Sequence, residues 1–413
     1  MRPFSVVGLA AAFLATGVSA NKAGQGSNFD VSPSVADQAS LAQNNAADLA
    51  VFDTPFDFDF YATASNFPSS SPGDLLKLKP LNGTSLDIPT GVSVYKIQYT
   101  SQDINGSIVP ATGFLAVPFA RRNDPYRLIA YAHGTTGVFR GCAPSSSSYL
   151  FDYNSWTPLL LSGYAVVATD YASLGNHKIT HKYISSAANA NDVYWSVAAA
   201  RNAFPSAFTD EWLSEHELVQ DKHSGYLGGV SIAPIAKIYD SLVEALAILG
   251  DGTSGGYESY KVFGVLPSLV LAVQALFPNY TTPFLATPMH QRVELAKIAQ
   301  YCDVALSGIV ADLSVDELIG NITATDIAVL SRFQELNAPT QGASASTPLL
   351  LIQGEADTIV FPSTVVNAYS DSCRAATVGA SAPEWLAFIE GLSAETVSMR
   401  RCVNQTVAPV DDV

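Results

Sequence analysis

Three short segments carry residue types that could do chemistry. Ala130-Tyr131-Ala132-His133-Gly134-Thr135-Thr136-Gly137 follows a run of strand-forming residues. Glycine and small hydroxyl residues there let backbone N–H groups point into a cleft, as an oxyanion hole around Gly134 and Thr135 requires. The same octet also reads as a plain tight turn. Asp357, in Leu349-Leu350-Leu351-Ile352-Gln353-Gly354-Glu355-Ala356-Asp357, lies just past an all-apolar run, where an open α/β sheet presents site residues. Its plainer role is a turn former ahead of Pro362. In Gly163-Tyr164-Ala165-Val166-Val167-Ala168-Thr169-Asp170-Tyr171-Ala172 a core strand enters a turn, and Asp170 is expected to order that turn, not to react.

Acyl transfer also needs a nucleophile and a base. The α/β-hydrolase nucleophile sits at a strand–elbow–helix of the form G-x-S-x-G, with the acid and then the histidine following along the chain. The one literal match, Gly252-Thr253-Ser254-Gly255-Gly256, follows the helical run Ile238–Leu249 and lacks the strand that would hold a strained elbow. Ser231, in Gly229-Val230-Ser231-Ile232-Ala233, lies inside a strand pattern without the second glycine, and is rejected too. All six histidines (His133, His177, His181, His216, His223 and His290) precede Asp357. His133 and His181 are expected to make structural hydrogen bonds, and His216 and His223 to face solvent. No catalytic serine and no catalytic histidine can be assigned. The four cysteines, Cys142, Cys302, Cys373 and Cys402, lack metal-ligand spacing, so neither a metal nor a cofactor is implied.

The elements that would position these residues follow from pattern. Val92–Tyr99, Ile108–Val117, Arg127–Tyr131, Tyr164–Thr169 and Tyr226–Ala233 are β-branched or aromatic runs bounded by turn residues, hence strands. Ala187–Phe204 places Val193, Val197, Ala200 and Phe204 at helical spacing. From Ala236 to about Ala343 the pattern is almost wholly helical. Pro348–Ile352 is then a strand buried on both faces, followed by helices over Pro362–Arg374 and Pro383–Gly391. Strands alternating with helices around a helical insertion predict an α/β fold with a cap. The expected organisation is a signal peptide at 1–20, an extension at 21–54, a first core part at 55–235, the cap at 236–345, a second core part at 346–402 and a tail at 403–413.

Composition narrows the class. The 413 residues are 48% hydrophobic and 14% charged, which excludes disorder as the overall class. Lys+Arg number 21 against Asp+Glu 37, a net charge of −16 that disfavours nucleic acid and anionic lipid head groups as partners. Met1–Ala20 has one basic residue, a short apolar core and small residues at its end, the pattern of a secretory signal peptide. No later run is expected to span a membrane. Asn82, Asn105, Asn279, Asn321 and Asn404 begin N-x-S/T sequons, which beside a signal peptide predict a secreted glycoprotein. Four cysteines in an oxidising compartment predict two disulfides, with three pairings open.

Taken in order, several segments resemble the fungal secretory lipase family, the lipase A type of α/β-hydrolase: AYAHGTTG (130–137), GYAVVATDYASLG (163–175), SAANANDVYWSVAAAR (186–201), GYLGGVSIAP (225–234), YCDVALSGIVADL (301–313), GEAD (354–357) and SAPEWLAF (381–388). The resemblance runs from about Pro55 to Cys402. It implies a secreted enzyme that cleaves carboxylic esters, acylglycerols typically, with a Ser–Asp–His triad under a helical cap. It implies Asp357 as the triad acid, and it favours the disulfides Cys142–Cys302 and Cys373–Cys402.

Two departures from that pattern matter. In the family the elbow comes directly after the Asp-Glu-Trp stretch, here Asp210-Glu211-Trp212. This chain continues Leu213-Ser214-Glu215-His216-Glu217-Leu218, which looks like the far side of the elbow helix. The family's histidine loop precedes Ser-Ala-Pro-Glu-Trp, whereas here Cys373–Ala380 joins straight into Ser381. The expectation is an α/β-hydrolase fold with a sheet short by about two strands and no normal triad. Neighbouring strands would have to meet across the gap or leave backbone groups unpaired. The function expected is ester hydrolysis in lipid catabolism with a catalytically defective chain, acting on a lipid or small ester. The alternatives are a non-enzymatic acyl-chain binder and an acyl hydrolase or acyltransferase of secondary metabolism.

Overall fold

A computed structural model describes residues 46, 48, 50, 52 and 55–404, except 84–85, 120–123, 152–154, 215–224, 250–262, 340–346, 373–375, 379–381, 395 and 398–402. The expected signal peptide, the Gly252–Gly256 match, His216, His223 and the pair Cys373 and Cys402 lie outside the described residues.

The sheet begins with three antiparallel strands, β1 (Leu75–Pro80), β2 (Val92–Gln102) and β3 (Ile108–Pro118). β5 (Ala165–Thr169) runs antiparallel to β3 and parallel to β4 (Tyr126–Ala132), and β6 (Phe208–Ser214) lies on the other side of β4. The order is therefore β1-β2-β3-β5-β4-β6. A second, all-parallel ladder runs β7 (Gly229–Ile232), β8 (Leu349–Ile352), β9 (Ala376–Val378) and β10 (Val403–Asn404). Leu349, Leu350 and Leu351 are each 4% exposed, as expected of a strand covered on both faces.

β6 is where the chain departs from its expected reading. Leu213 and Ser214, which resemble the far side of a helix, are its last two residues, paired with Ile129 and Ala130. Asp210 and Glu211 are exposed while Trp212, Leu213 and Ser214 are buried. The Asp-Glu-Trp stretch itself thus lies beside β4. β6 meets the segment leading into β7: the Trp212 amide donates to the Gly225 carbonyl at 2.8 Å, Leu227 to Trp212 at 3.0 Å and Ser214 to Gly228 at 3.2 Å. A Cβ on Gly229 would sit 2.0 Å from the Ser214 carbonyl, so only glycine allows that approach. Side chains from both ladders share one core, among them Ile129, Val166, Leu213, Val230 and Leu350, with Trp385 from the last helix.

Helices cover the sheet. In chain order they are α1 (Phe58–Tyr61), α2 (Thr157–Leu161), α3 (Ser186–Ala203), α4 (Ile238–Leu249), α5 (Leu266–Leu276), α6 (Thr287–Ala299), α7 (Asp303–Gly308), α8 (Val315–Leu318), α9 (Ala324–Asn337), α10 (Pro362–Ser372) and α11 (Ala382–Ser393). α3 crosses from β5 to β6 and buries Val193, Val197 and Ala200, the stripe its sequence predicts. α4 to α9 form the cap around Phe263, Met289, Val293, Leu306 and Phe333. Capping boxes start α8 (Ser314 with Glu317) and α9 (Thr323 with Asp326).

The Cys142–Cys302 disulfide, with Cα atoms 5.3 Å apart, joins the loop after β4 to the start of α7. Asn82, Asn105, Asn279 and Asn321 are exposed, while nothing is described of the Asn404 side chain. Among the described residues no helix is long and apolar enough to cross a membrane.

Candidate functional site

The residues 133–137 leave the C-terminal end of β4, where the strand order reverses between β5 and β6. Ligands of open α/β sheets bind at such a switch point. A cleft of about 490 Å³ lies there, lined by His133, Gly134, Thr135, His181, Ser231 and Val360 among others.

The front of the loop is open. Gly134 is exposed, and a Cβ built on it would meet no atom within 4 Å. The amides of Gly134 and Thr135 have no acceptor among the described residues. The Thr135 hydroxyl lies 2.6 Å from the Tyr183 hydroxyl. The back of the loop is fastened: the Asp303 amide donates to the Thr136 carbonyl at 2.9 Å, and Gly137 bridges Cys302. Gly137 takes φ +127°, and a Cβ there would come within 2.7 Å of Cys142 Sγ.

His133 holds the turn from inside. Its Nδ1 lies 2.6 Å from the Gly134 carbonyl and its Nε2 3.2 Å from that of Asp170. Burial pushes its pKa down to about 4, so the ring is neutral and donates to one carbonyl, the nearer. His181 is likewise neutral, pushed by burial to about 4, with Nδ1 donating to Ala172 at 3.1 Å. Behind it, Asp192 of α3 accepts the Ala172 amide at 2.8 Å and the Ser101 hydroxyl. Burial raises that carboxyl to about 7.

Asp170 is fully buried and accepts the Ser145 amide at 2.8 Å, the Ser145 hydroxyl at 2.6 Å and the Thr112 hydroxyl at 2.7 Å. It ties the loop after β4 to β3, an ordering role. Asp357 stands past β8 and accepts the Ile359 and Val360 amides, both at 2.9 Å, and the Gln353 side chain at 3.3 Å. No described histidine hydrogen-bonds it. Ser231 pairs with Leu351 inside β7 and reaches the cleft without a hydrogen-bond partner among the described residues. The structure therefore brings Gly134, Thr135, His133 and His181 to one cleft and uses Asp357 in its own turn.

An apolar chamber of about 60 Å³ adjoins the cleft through Tyr183, Ile184, Val265 and Val360, and runs between α4 and α5 against Leu242, Ala245, Phe263 and Phe361. Sequence reading missed these positions one by one, because cap helices show the same apolar spacing whether they line a chamber or fill a core.

No family profile and no curated protein sequence matches the chain. Solved structures do. Candida antarctica lipase A in its closed state is 16% identical with a TM-score of 0.62, over 85% of this chain and 89% of that one. The rice cell wall degrading esterase LipA from Xanthomonas oryzae is 18% identical, TM-score 0.57, over 79% and 97%. A putative hydrolase from Legionella pneumophila is 15% identical, TM-score 0.60, over 78% and 99%. The fold is that of the α/β-hydrolases, an open mixed sheet flanked by helices, with a helical cap.

Proposed function

We propose that this chain is a secreted member of the carboxylic ester hydrolases, of the secretory lipase type, that binds an acyl ester or its acid but turns it over at background level. One observation carries the reading: Gly134 and Thr135, whose amides have no acceptor among the described residues, line a cleft that shares Tyr183, Ile184, Val265 and Val360 with an apolar chamber. Backbone donors held in place before charge develops are what acyl transfer needs at the carbonyl oxygen, and the 490 Å³ cleft has room for a tail whose end reaches the chamber. Fold likeness to lipases and esterases and the four exposed sequons support the assignment.

What the described cleft lacks is a serine held against an imidazole. Ser231 has neither an elbow nor a partner, and the imidazoles of His133 and His181 are engaged with backbone carbonyls. A triad is productive only when placed to within about 0.5 Å. The test uses p-nitrophenyl butyrate and octanoate, a serine-directed fluorophosphonate and a fluorescent fatty acid. The reading expects fatty-acid binding, hydrolysis no faster than a buffer control and no covalent label. A stoichiometric serine adduct overturns the defect; absence of fatty-acid binding overturns the cleft.

An acyl carrier with no enzymatic ancestry in its use would need only the chamber. Fold likeness to lipases and esterases favours the hydrolase reading, while the loop amides serve either, since a fatty-acid carboxylate accepts from backbone N–H groups as a tetrahedral oxygen does.

A further inference from the structure

Asp48 lies far upstream of the sheet in sequence and yet is 3% exposed. Its Oδ2 accepts the Cys302 amide at 2.7 Å and its Oδ1 the Ala305 amide at 3.0 Å. These are the amides of the residue preceding α7 and of its third residue, the groups a helix start leaves unpaired. Cys302 is bound in the disulfide and makes no side-chain cap of its own. The carboxylate of a residue more than 250 positions away thus supplies the cap. Phe52, 3% exposed, anchors the same segment against Phe56, Cys142, Leu174 and Cys302.

What Asp48 holds is the back of the cleft loop. Cys302 bridges Gly137, and the Asp303 amide grips the Thr136 carbonyl at 2.9 Å. One and two residues before Thr136 stand Thr135 and Gly134, whose amides have no acceptor among the described residues. A continuous hydrogen-bonded path leads from Asp48 through the start of α7 to the loop. We infer that Asp48 is a positioning residue for the Gly134 and Thr135 amides, so that its hold on the Cys302 and Ala305 amides sets the cleft's affinity for a tetrahedral anion. The inference rests on the reading of that loop as an oxyanion binder.

Two probes separate this from a merely structural cap. Octylphosphonate presents a tetrahedral anion on an eight-carbon tail, and 1-octanol presents the tail with a hydroxyl. In calorimetric titrations of the purified protein, Asp48→Asn is expected to weaken octylphosphonate at least fivefold and to leave 1-octanol within twofold. Thr135→Pro, which removes one loop amide, should weaken octylphosphonate in the same way. If Thr135→Pro weakens octylphosphonate and Asp48→Asn does not, the positioning role is overturned and the loop reading stands. If the phosphonate binds no better than the alcohol and Thr135→Pro changes nothing, the loop reading fails and the inference with it.

Should Asp48→Asn fail to fold, Phe52→Ala keeps the carboxylate and loosens its segment. Amide hydrogen exchange should then rise together at Cys302, Ala305 and Asp303, whose amide holds the Thr136 carbonyl of the loop. A rise at Cys302 and Ala305 with Asp303 unchanged overturns the inference.

Discussion

The Asp357 carboxylate accepts the Val360 amide at 2.9 Å, closing a turn within four residues, and the same oxygen takes the Ile359 amide. An asparagine oxygen can accept both bonds. Asp357→Asn is therefore expected to change stability by less than about 0.5 kcal/mol, and Asp357→Ala to cost about 1 kcal/mol, as loss of a local cap does. Chemical denaturation checks both. In a working serine triad the acid-to-amide change removes about four orders of magnitude of kcat; here ester turnover should not move.

Gly137 is the second test. Its φ of +127° is open to glycine and strained for any other residue, and a Cβ would press on Cys142 Sγ and on Cys302 Cα at 3.0 Å. Gly137→Ala should destabilise the fold by about 1–3 kcal/mol. It should also weaken octylphosphonate, because the loop would have to shift away from the disulfide. Full stability in the alanine variant would contradict this packing.

The pH dependence has a definite sign. Burial raises Asp48 and Asp192 to about 7 and Asp303 to about 6. The folded chain thus keeps protons that unfolded carboxyls, near about 3.9, release, so these groups lose stability as pH rises from about 4 through 7. His133 and His181, held near 4, oppose them: their stabilising neutrality is lost as pH falls through about 6.5 toward 4. Asp170, also raised by burial, adds to the carboxyl side, so four carboxyls stand against two imidazoles. The melting temperature should be higher at pH 5 than at pH 8, and His181→Gln should steepen the difference. A higher Tm at pH 8 would refute the balance.

The chamber gives the fourth expectation. Ala245, 4% exposed, faces it beside Leu242 and Phe263. Ala245→Phe would place a ring in a space of about 60 Å³. Affinity for a fluorescent long-chain fatty acid should fall at least tenfold while acetate binding stays unchanged. Unaltered fatty-acid affinity would move the tail elsewhere.

Much of this arrangement was legible in the sequence because it depends on local pattern. The alternating and all-apolar runs that became β2 to β5, β7 and β8 declare themselves, as does the stripe of α3. The ordering role of Asp170 and the structural roles of His133 and His181 were also readable, from their places beside strands and turns. β6 was not. Phe208-Thr209-Asp210-Glu211-Trp212 carries two adjacent acids and no alternation, and only the ladder with β4 makes it a strand. Asp48 was invisible for a different reason. A carboxylate in an Ala- and Asn-rich segment says nothing of a partner on a helix 254 residues on.

The split of the sheet also shapes how the chain is made. Among the described residues β7 finds its ladder partner in β8, and residues 233–348, the whole cap included, are translated between them. At about 5–20 residues per second the ribosome leaves that strand edge waiting for roughly 6 to 23 seconds. An unpaired edge is a template for wrong pairing, so the nascent chain should depend heavily on chaperones during its synthesis.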